Sequence, residues 1–474
     1  MTPTSAPCLL VLAAALCGGC AVIDPYNVIT RQAPPGLAAN GPVPAPASAP
    51  LGEAGRLAAY EFVWQTVNDR YYDPKLNGVD WKAAGERWRP RLLAAAGDEE
   101  FWDLLDGMTG EMGDAHTRVE SPRRAEQIER FENVSLGFSF RTLEGKLVVT
   151  GVNPESEAWW AGVRPGMSIA QIGGEPAQQA YEKLLARSRG SSSAHARHVS
   201  ATRRLLAGEP DSSAILTFAR GDGSPFTVSL KRTRLASPPR VAWRTLPSGF
   251  GYIRLTGWSQ SLEGRMIEAV ESLKDRPGLV IDLRGNPGGS ALMVRNVARR
   301  LFEGKLEIGR TLTRTGLPIS LAFGLVELVK MKQEIEGTGT YAGPVVVLVN
   351  ADSGSASELF AGVLQSQGRA TVMGATTCGC LLAYMGYATI PGGGKLAYSE
   401  VGFVFPNGAR IEREGVKPDI PVALTVADLL VDRDRALEQA QAQLGTMGPW
   451  RKPETARVGD EHAHPLDVSR APAR

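Results

Sequence analysis

The spacing of apolar positions passes through three regimes along the chain. Between residues 52 and 130, Leu57, Tyr60, Phe62, Val63, Trp64 and Val67 recur at helical spacing, break at Tyr72-Asp73-Pro74 and resume from Trp81. This predicts a small helical domain over 51–130. From Val134 to about Arg234 the period shortens to two in GKLVVTGV, AILTFAR and FTVSLKR, with glycine punctuation and one helix near 176–188. That pattern predicts a compact β-rich domain over 131–235. From Gly249 strands and helices alternate: GYIRL, a helix from about Gly264, GLVIDLRG, a helix from about Ser290, PVVVLVN, and a helix over Ala356–Gln367. Alternation predicts a layered α/β domain with a mainly parallel sheet over 236–430, followed by a charged helix and polar tail over 431–474.

Composition adds little to this multidomain α/β and β outline. Of 474 residues, 43% are hydrophobic and 22% charged, which excludes a disordered chain and a multi-span membrane protein. Lys plus Arg number 52 against 50 Asp plus Glu, and this near balance argues against a nucleic-acid partner. The start of the chain says more. Leu9–Cys17 (LLVLAAALC) is too short to span a bilayer and fits the apolar region of an export signal. With Gly18, Gly19 and Cys20 after it, the stretch 1–20 resembles a bacterial lipoprotein signal. That resemblance implies lipidation at Cys20, a membrane anchor, and an exported protein of the cell envelope facing the periplasm. Residues 21–50 are rich in Pro and Ala and read as a tether.

Several segments, in order, resemble the C-terminal processing, or tail-specific, serine peptidases, a family that includes the tricorn-like proteases. VSLGF (134–138) and AWWAGVRPGMSIAQIGG (158–174) are similar to that family's PDZ module; LVIDLRGNPGG (279–289) to its oxyanion loop; VVVLVNADSGSASELFAGVLQSQGR (345–369) to its nucleophile segment; and GARIEREGVKPDIPV (408–422) to its closing motif. FVWQTVNDRYYDP, GVDW and GDAHT are similar to the helical domain of the tricorn-like branch. The resemblance implies a PDZ-like second domain, a ClpP/crotonase-like layered catalytic domain and a serine-type peptidase. It implies no metal and no organic cofactor.

The residues themselves define the chemistry to be tested. Ser355 stands where an apolar strand turns through small residues into a helix, and a helix start favours developing negative charge. A serine hydroxyl is a weak nucleophile and needs a base. The resemblance makes Ser355 the nucleophile, yet Cys378-Gly379-Cys380 occupy the segment where the best-known branch carries its catalytic lysine, and Ser366 replaces its accessory aspartate. The tricorn-like branch uses a Ser-His-Glu set instead, which His116 in GDAHT and Glu412 in IEREGV match, with Glu414 the rival for the third place. An imidazole titrates near neutrality and accepts the serine proton, while a carboxylate fixes its tautomer. Gly288, Gly289 and the Ala356 amide are the expected oxyanion donors, and Asp282, Arg284 and Asn286 the expected braces of that loop.

By the same resemblance, the Leu136-Gly137-Phe138 loop would hold the carboxylate of a captured peptide or protein C-terminus by strand addition. Trp159 and Trp160 could line such a groove. Cys378 and Cys380 permit a one-residue-loop disulfide, a metal half-site or two buried thiols, of which buried thiols are the expectation. His195 and His198 have metal-like spacing but lack further ligands, His462 and His464 belong to the tail, and Lys395 is expected to be solvated. Loss of the lysine supports a rival reading: an inactive family member that binds peptides or lipids. The oligomeric state is open.

Overall fold

The computed structural model describes residues 50–448 apart from 130–131, 188–193, 322–324 and 382–385. Cys20, the tether, His462 and His464 lie outside the described residues.

Three helices open the described chain: α1 (Glu53–Arg70), α2 (Trp81–Leu93) and α3 (Asp98–Thr109). Helix α1 buries Ala59, Tyr60, Val63 and Val67 along one stripe. Helix α2 starts at Asp80, whose side chain accepts from the Ala83 N–H at 3.0 Å, satisfying one of the donors every helix start leaves open. Asp98, Glu99 and Glu100 fill the first turn of α3 and complement its dipole. Leu105, Met108 and Trp102 of α3 then join a core with Ile390, Leu396 and Tyr398 from far along the chain. The connection is a sheet: Arg118–Glu120 pairs antiparallel with Lys395–Tyr398, Arg118 opposite Ala397 and Glu120 opposite Lys395. Lys395 is therefore buried, not solvated, at 3% exposed; its ammonium donates to Thr389 Oγ at 2.8 Å.

The middle of the chain forms an antiparallel sheet in the order β1 (Phe138–Leu143), Lys146–Val152, Ser168–Ile172, Ser213–Ala219 and Pro225–Lys231. Helix Ala177–Arg187 packs on this sheet and on α4 (Ala194–Leu205). Strand β1 pairs on one side only among the described residues, which leaves it an edge.

The last region is built on six strands in the order Val241–Thr245, Gly251–Leu255, β2 (Leu279–Asp282), β3 (Val345–Val349), β4 (Ala370–Gly374) and Ile420–Pro421. All neighbours run parallel except the first pair. Strand alternation explains why β3 is apolar throughout. Val345, Val347 and Val349 enter the core under α5 (Ala356–Ser366), while Val346 and Leu348 enter a second core against Ala440 and Leu444 of α6 (Arg435–Thr446). All five are fully buried, and each such side chain contributes about 1.5–3 kcal/mol of transfer free energy. Because β2 and β3 are parallel neighbours, the loops leaving their carboxyl ends lie side by side, the usual place for a site in an open α/β sheet.

Among the described residues no helix is long and apolar enough to cross a membrane.

Candidate active site

The two adjacent loops are stitched together before any chemistry is considered. Gly354 N–H donates to Asn286 O at 3.0 Å, Ser353 Oγ donates to Leu283 O at 2.8 Å, and Ser357 Oγ donates to Asn286 O at 3.0 Å. Ser353 and Ser357 thus tie the two loops together. Asp282 braces the base of the β2 loop: its carboxylate accepts from Arg254 at 2.8 Å, from Tyr252 Oη at 2.8 Å and from Arg284 at 2.7 Å. Arg284 reaches on to Asp434 at the start of α6 at 2.7 Å.

Ser355 caps α5 in a backbone conformation that a non-glycine residue adopts only under constraint, φ 50° and ψ −113°. Such a residue costs about 1–3 kcal/mol and persists where its surroundings over-determine it. Much of the constraint comes from Glu358, one turn on. Its fully buried carboxylate accepts from Ser355 N–H at 2.9 Å, Thr377 Oγ at 2.6 Å, Gly379 N–H at 2.7 Å and Cys380 N–H at 3.0 Å. Burial pushes the Glu358 carboxyl up, and these four donors oppose it. Sequence reasoning missed Glu358, although Ser-x-x-Glu ahead of an apolar run is a helix-start signature.

His116 arrives from the other end of the chain. It follows α3 in a loop shaped by buried Asp114, which accepts from His116 N–H at 2.8 Å and from Thr117 Oγ at 2.6 Å. The imidazole Nε2 lies 3.3 Å from Ser355 Oγ, across 239 residues of sequence. Burial pushes the His116 pKa down to about 4, with the Asp114 charge opposing and Arg118 adding to the shift.

The loop of Glu412 closes the third side. Arg413, at φ 71°, donates its N–H to Gly379 O at 2.7 Å, and its guanidinium donates to Gly113 O at 3.2 Å in the histidine loop. Both carboxylate oxygens of Glu412 are buried. Burial first, then the charges of Asp114 and Glu412 among others, push Tyr72 up to about 12 and Tyr71 well above its usual value. Glu412 and Asp114 thus both act on Tyr71 and Tyr72, and the Asp114 charge acts on His116 as well. Glu414 is exposed and pairs with Lys417 at 2.9 Å.

The expected oxyanion donors are placed unequally. Gly288, at φ 110°, lies directly against the nucleophile: a Cβ there would sit 2.7 Å from Ser355 Cβ and 2.9 Å from Ala356 N. Its N–H, however, donates to Asn286 Oδ1 at 3.0 Å, so Gly288 provides room rather than a free donor. Gly289 bridges Trp258 through its neighbours, with Trp258 N–H to Gly288 O and Ser290 N–H to Trp258 O. Its own N–H is left on the opposite face. Ala356 is the first residue of α5, where no intrahelical acceptor exists for its N–H.

Cys378 and Cys380 are joined in a disulfide, Cα to Cα 5.3 Å. This corrects the expectation of buried thiols: with one residue between them and Gly379 at φ 70°, the turn brings the two side chains together. His195 and His198 lie on α4 and go to different partners, Asp352 at 3.3 Å and the Tyr181 hydroxyl. Asp352, three residues before Ser355, also pairs with Arg141 of edge strand β1, so the middle sheet is docked against the nucleophile loop. In the Leu136-Gly137-Phe138 loop, Leu136 is buried and Gly137 N–H donates to Ser135 Oγ at 3.0 Å. Trp160 is 78% exposed, while Arg164 stacks on Trp159. Among the described residues no cluster of three or more His, Cys, Asp or Glu has the arrangement of a metal site.

Residues 249–422 match the description "Peptidase family S41", and residues 53–110 match "Tricorn protease C1 domain". Residues 249–422 form an S41 peptidase domain. With that domain the protein is a serine-type peptidase, and peptides or proteins are its substrate class. It is 25% identical over 393 residues to carboxyl-terminal-processing peptidase 3 of Arabidopsis thaliana, covering 77% of this chain and 69% of that one. It is 24% identical to putative tricorn protease homolog 2 of Streptomyces coelicolor, over 86% of this chain but only 34% of the relative. In fold, mature CPAF superposes with a TM-score of 0.60 at 16% identity, over 83% of this chain and 96% of that one. The photosystem II D1 C-terminal processing protease does so at 0.54 and 23%, over 83% and 98%.

Proposed function

We propose that this S41 peptidase is an endopeptidase that works through a Ser-His-Glu set: Ser355 as nucleophile, His116 as base and Glu412 as the group that orients the imidazole. The observation that carries the reading is the 3.3 Å approach of His116 Nε2 to Ser355 Oγ. In the reaction Ser355 Oγ attacks the scissile carbonyl carbon and its proton passes to His116 Nε2. The C–N bond then breaks as that proton goes to the leaving amine, and water hydrolyses the acyl-enzyme with His116 again as base. The N–H groups of Ala356 and Gly289 stabilise the oxyanion, in the space Gly288 leaves open.

Peptide capture rests on edge strand β1, which among the described residues has the unpaired side that strand addition requires. In this PDZ-like reading a carboxylate at Leu136-Gly137-Phe138 displaces Ser135 from the Gly137 N–H. The domain limits rest on the changes of apolar period along the chain, and export as a Cys20 lipoprotein rests on residues 9–20 alone.

Incubation with a fluorophosphonate probe followed by peptide mapping is expected to find the label on Ser355. A folded protein that takes no label would overturn the peptidase mechanism and leave the peptide-binding alternative standing. Glu412→Gln is expected to lower kcat/KM for a peptide substrate by about 10²–10⁴-fold, whereas Glu414→Gln, at an exposed surface pair, leaves it unchanged. The reverse order would move the third role to Glu414.

A further inference from the structure

The disulfide-closed loop Cys378-Gly379-Cys380 touches the nucleophile turn at three consecutive residues. Cys378 N–H donates to Ser353 O at 3.0 Å. A Cβ placed on Gly354 would lie 3.2 Å from Cys380 Sγ and 3.5 Å from Cys378 Cβ, so the bridge packs directly on that residue. The third contact runs through Glu358, which takes the Gly379 and Cys380 N–H groups on one side and holds the Ser355 N–H on the other. On its far side the loop is tied to the Glu412 segment, since Gly379 O accepts from Arg413 N–H. The bridge thus sits between the nucleophile and the loop of its proposed orienting carboxylate.

We propose that the Cys378–Cys380 disulfide is a reducible modification site that sets the reactivity of Ser355, with Glu358 as the positioning residue that transmits its state. The proposal rests on Ser355 being the nucleophile. The closed ring fixes two N–H donors on a fully buried carboxylate. Once the ring opens, Gly379, with the widest backbone freedom of any residue, no longer holds them there. Glu358 then keeps only the donors from Thr377 and Ser355. A buried carboxylate short of donors favours its protonated form, its hold on the Ser355 N–H weakens, and the constrained backbone at φ 50° relaxes.

The chemistry balances with a dithiol as reductant. One thiolate attacks Sγ of Cys378, which is half-buried and the more accessible of the two. The S–S bond breaks, a mixed disulfide forms, and the second thiol of the reductant displaces Cys378. The protein gains two thiols, with two electrons and two protons, and the reductant leaves as its cyclic disulfide.

The test uses the full chain in dithiothreitol buffers of graded oxidised-to-reduced ratio. Alkylation and peptide mapping report Cys378 and Cys380, and the fluorophosphonate reports the labelling rate of Ser355. The labelling rate is expected to fall about tenfold, roughly 1.4 kcal/mol of barrier, with the same midpoint as thiol appearance, and to recover on reoxidation. Glu358→Gln keeps an acceptor but not the charge; it is expected to label slowly in both states and to lose the redox dependence. The double variant Cys378→Ser, Cys380→Ser is expected to label at the reduced rate in every buffer. Full thiol exposure with an unchanged or faster labelling rate would overturn the proposal. So would free thiols in protein never exposed to reductant, or loss of the folded far-UV spectrum on reduction. Labelling in neither state sinks the nucleophile reading and this proposal together, whereas labelling that ignores the thiol count sinks this proposal alone.

Discussion

Ser355→Ala and His116→Ala are each expected to lower kcat/KM for peptide hydrolysis by about 10⁴–10⁶-fold, and the double variant to be no worse than the poorer single. Non-additivity is the informative part. If the hydroxyl and the imidazole act as one unit, removing either removes the step that needs both, and the second substitution has nothing left to cost. Losses that multiply would mean that His116, although 3.3 Å from the hydroxyl, does separate work such as packing the histidine loop. Thermal melts of the variants separate a lost reaction from a lost fold. The same pair predicts a pH profile. His116 must be neutral to accept a proton, and its pKa is pushed from the ordinary 6.5 to about 4, chiefly by burial. Activity should therefore hold as pH falls through 6.5 and drop only near pH 4. Stability behaves differently. Below about 6.5 the unfolded chain takes up a proton that the folded chain refuses, so the contribution of this histidine to stability is present above 6.5 and is lost as pH falls toward 4. An acid limb of kcat/KM at 6.5 would show that the imidazole is solvated during turnover.

The parts of this protein legible in the sequence are those with local periodicity. Val345–Val349 reads as a buried parallel strand because all five positions are apolar, and the structure divides them between two cores. Lys395 reads as solvated because its Gly-rich approach looks like a surface turn, whereas its strand lies opposite Arg118–Glu120, far away in sequence. Ser355 and His116 carry no signal for each other; only the order of the surrounding motifs joins them. The Arg141 to Asp352 pair spans 211 residues and was invisible for the same reason. Hydrogen bonding also reassigns roles that residue types suggest. Gly288 has the glycine a close approach requires, but its donor is spent on Asn286, and no pattern of letters reveals which face an amide presents. Glu358 was the reverse case: its Ser-x-x-Glu spacing was readable as a helix start, while its link to the disulfide loop was not.

Gly288→Ala is expected to fold and yet lose about 10²–10³-fold in the rate of fluorophosphonate labelling, the scale seen when an oxyanion site is spoiled. The reason is space. An added Cβ would lie 2.7 Å from Ser355 Cβ, 2.8 Å from Gly354 O and 2.9 Å from Ala356 N. Two of these three neighbours are backbone atoms, which cannot rotate away as the end of a flexible side chain can. The residue also sits at φ 110°, which L side chains rarely adopt. Either the β2 loop or the nucleophile turn must retreat, and either movement separates the attacking oxygen from the Ala356 amide. The fold is not at risk to the same degree, because Asp282 braces the loop from below through Arg254 and Arg284 and is untouched by the change. Gly264→Ala is the matching control: with nothing within 4 Å of its added Cβ, it should label at the wild-type rate. If Gly288→Ala labels as fast as Gly264→Ala, the space above Ser355 is not where the oxyanion forms, and the donors must be sought on the opposite side of the serine.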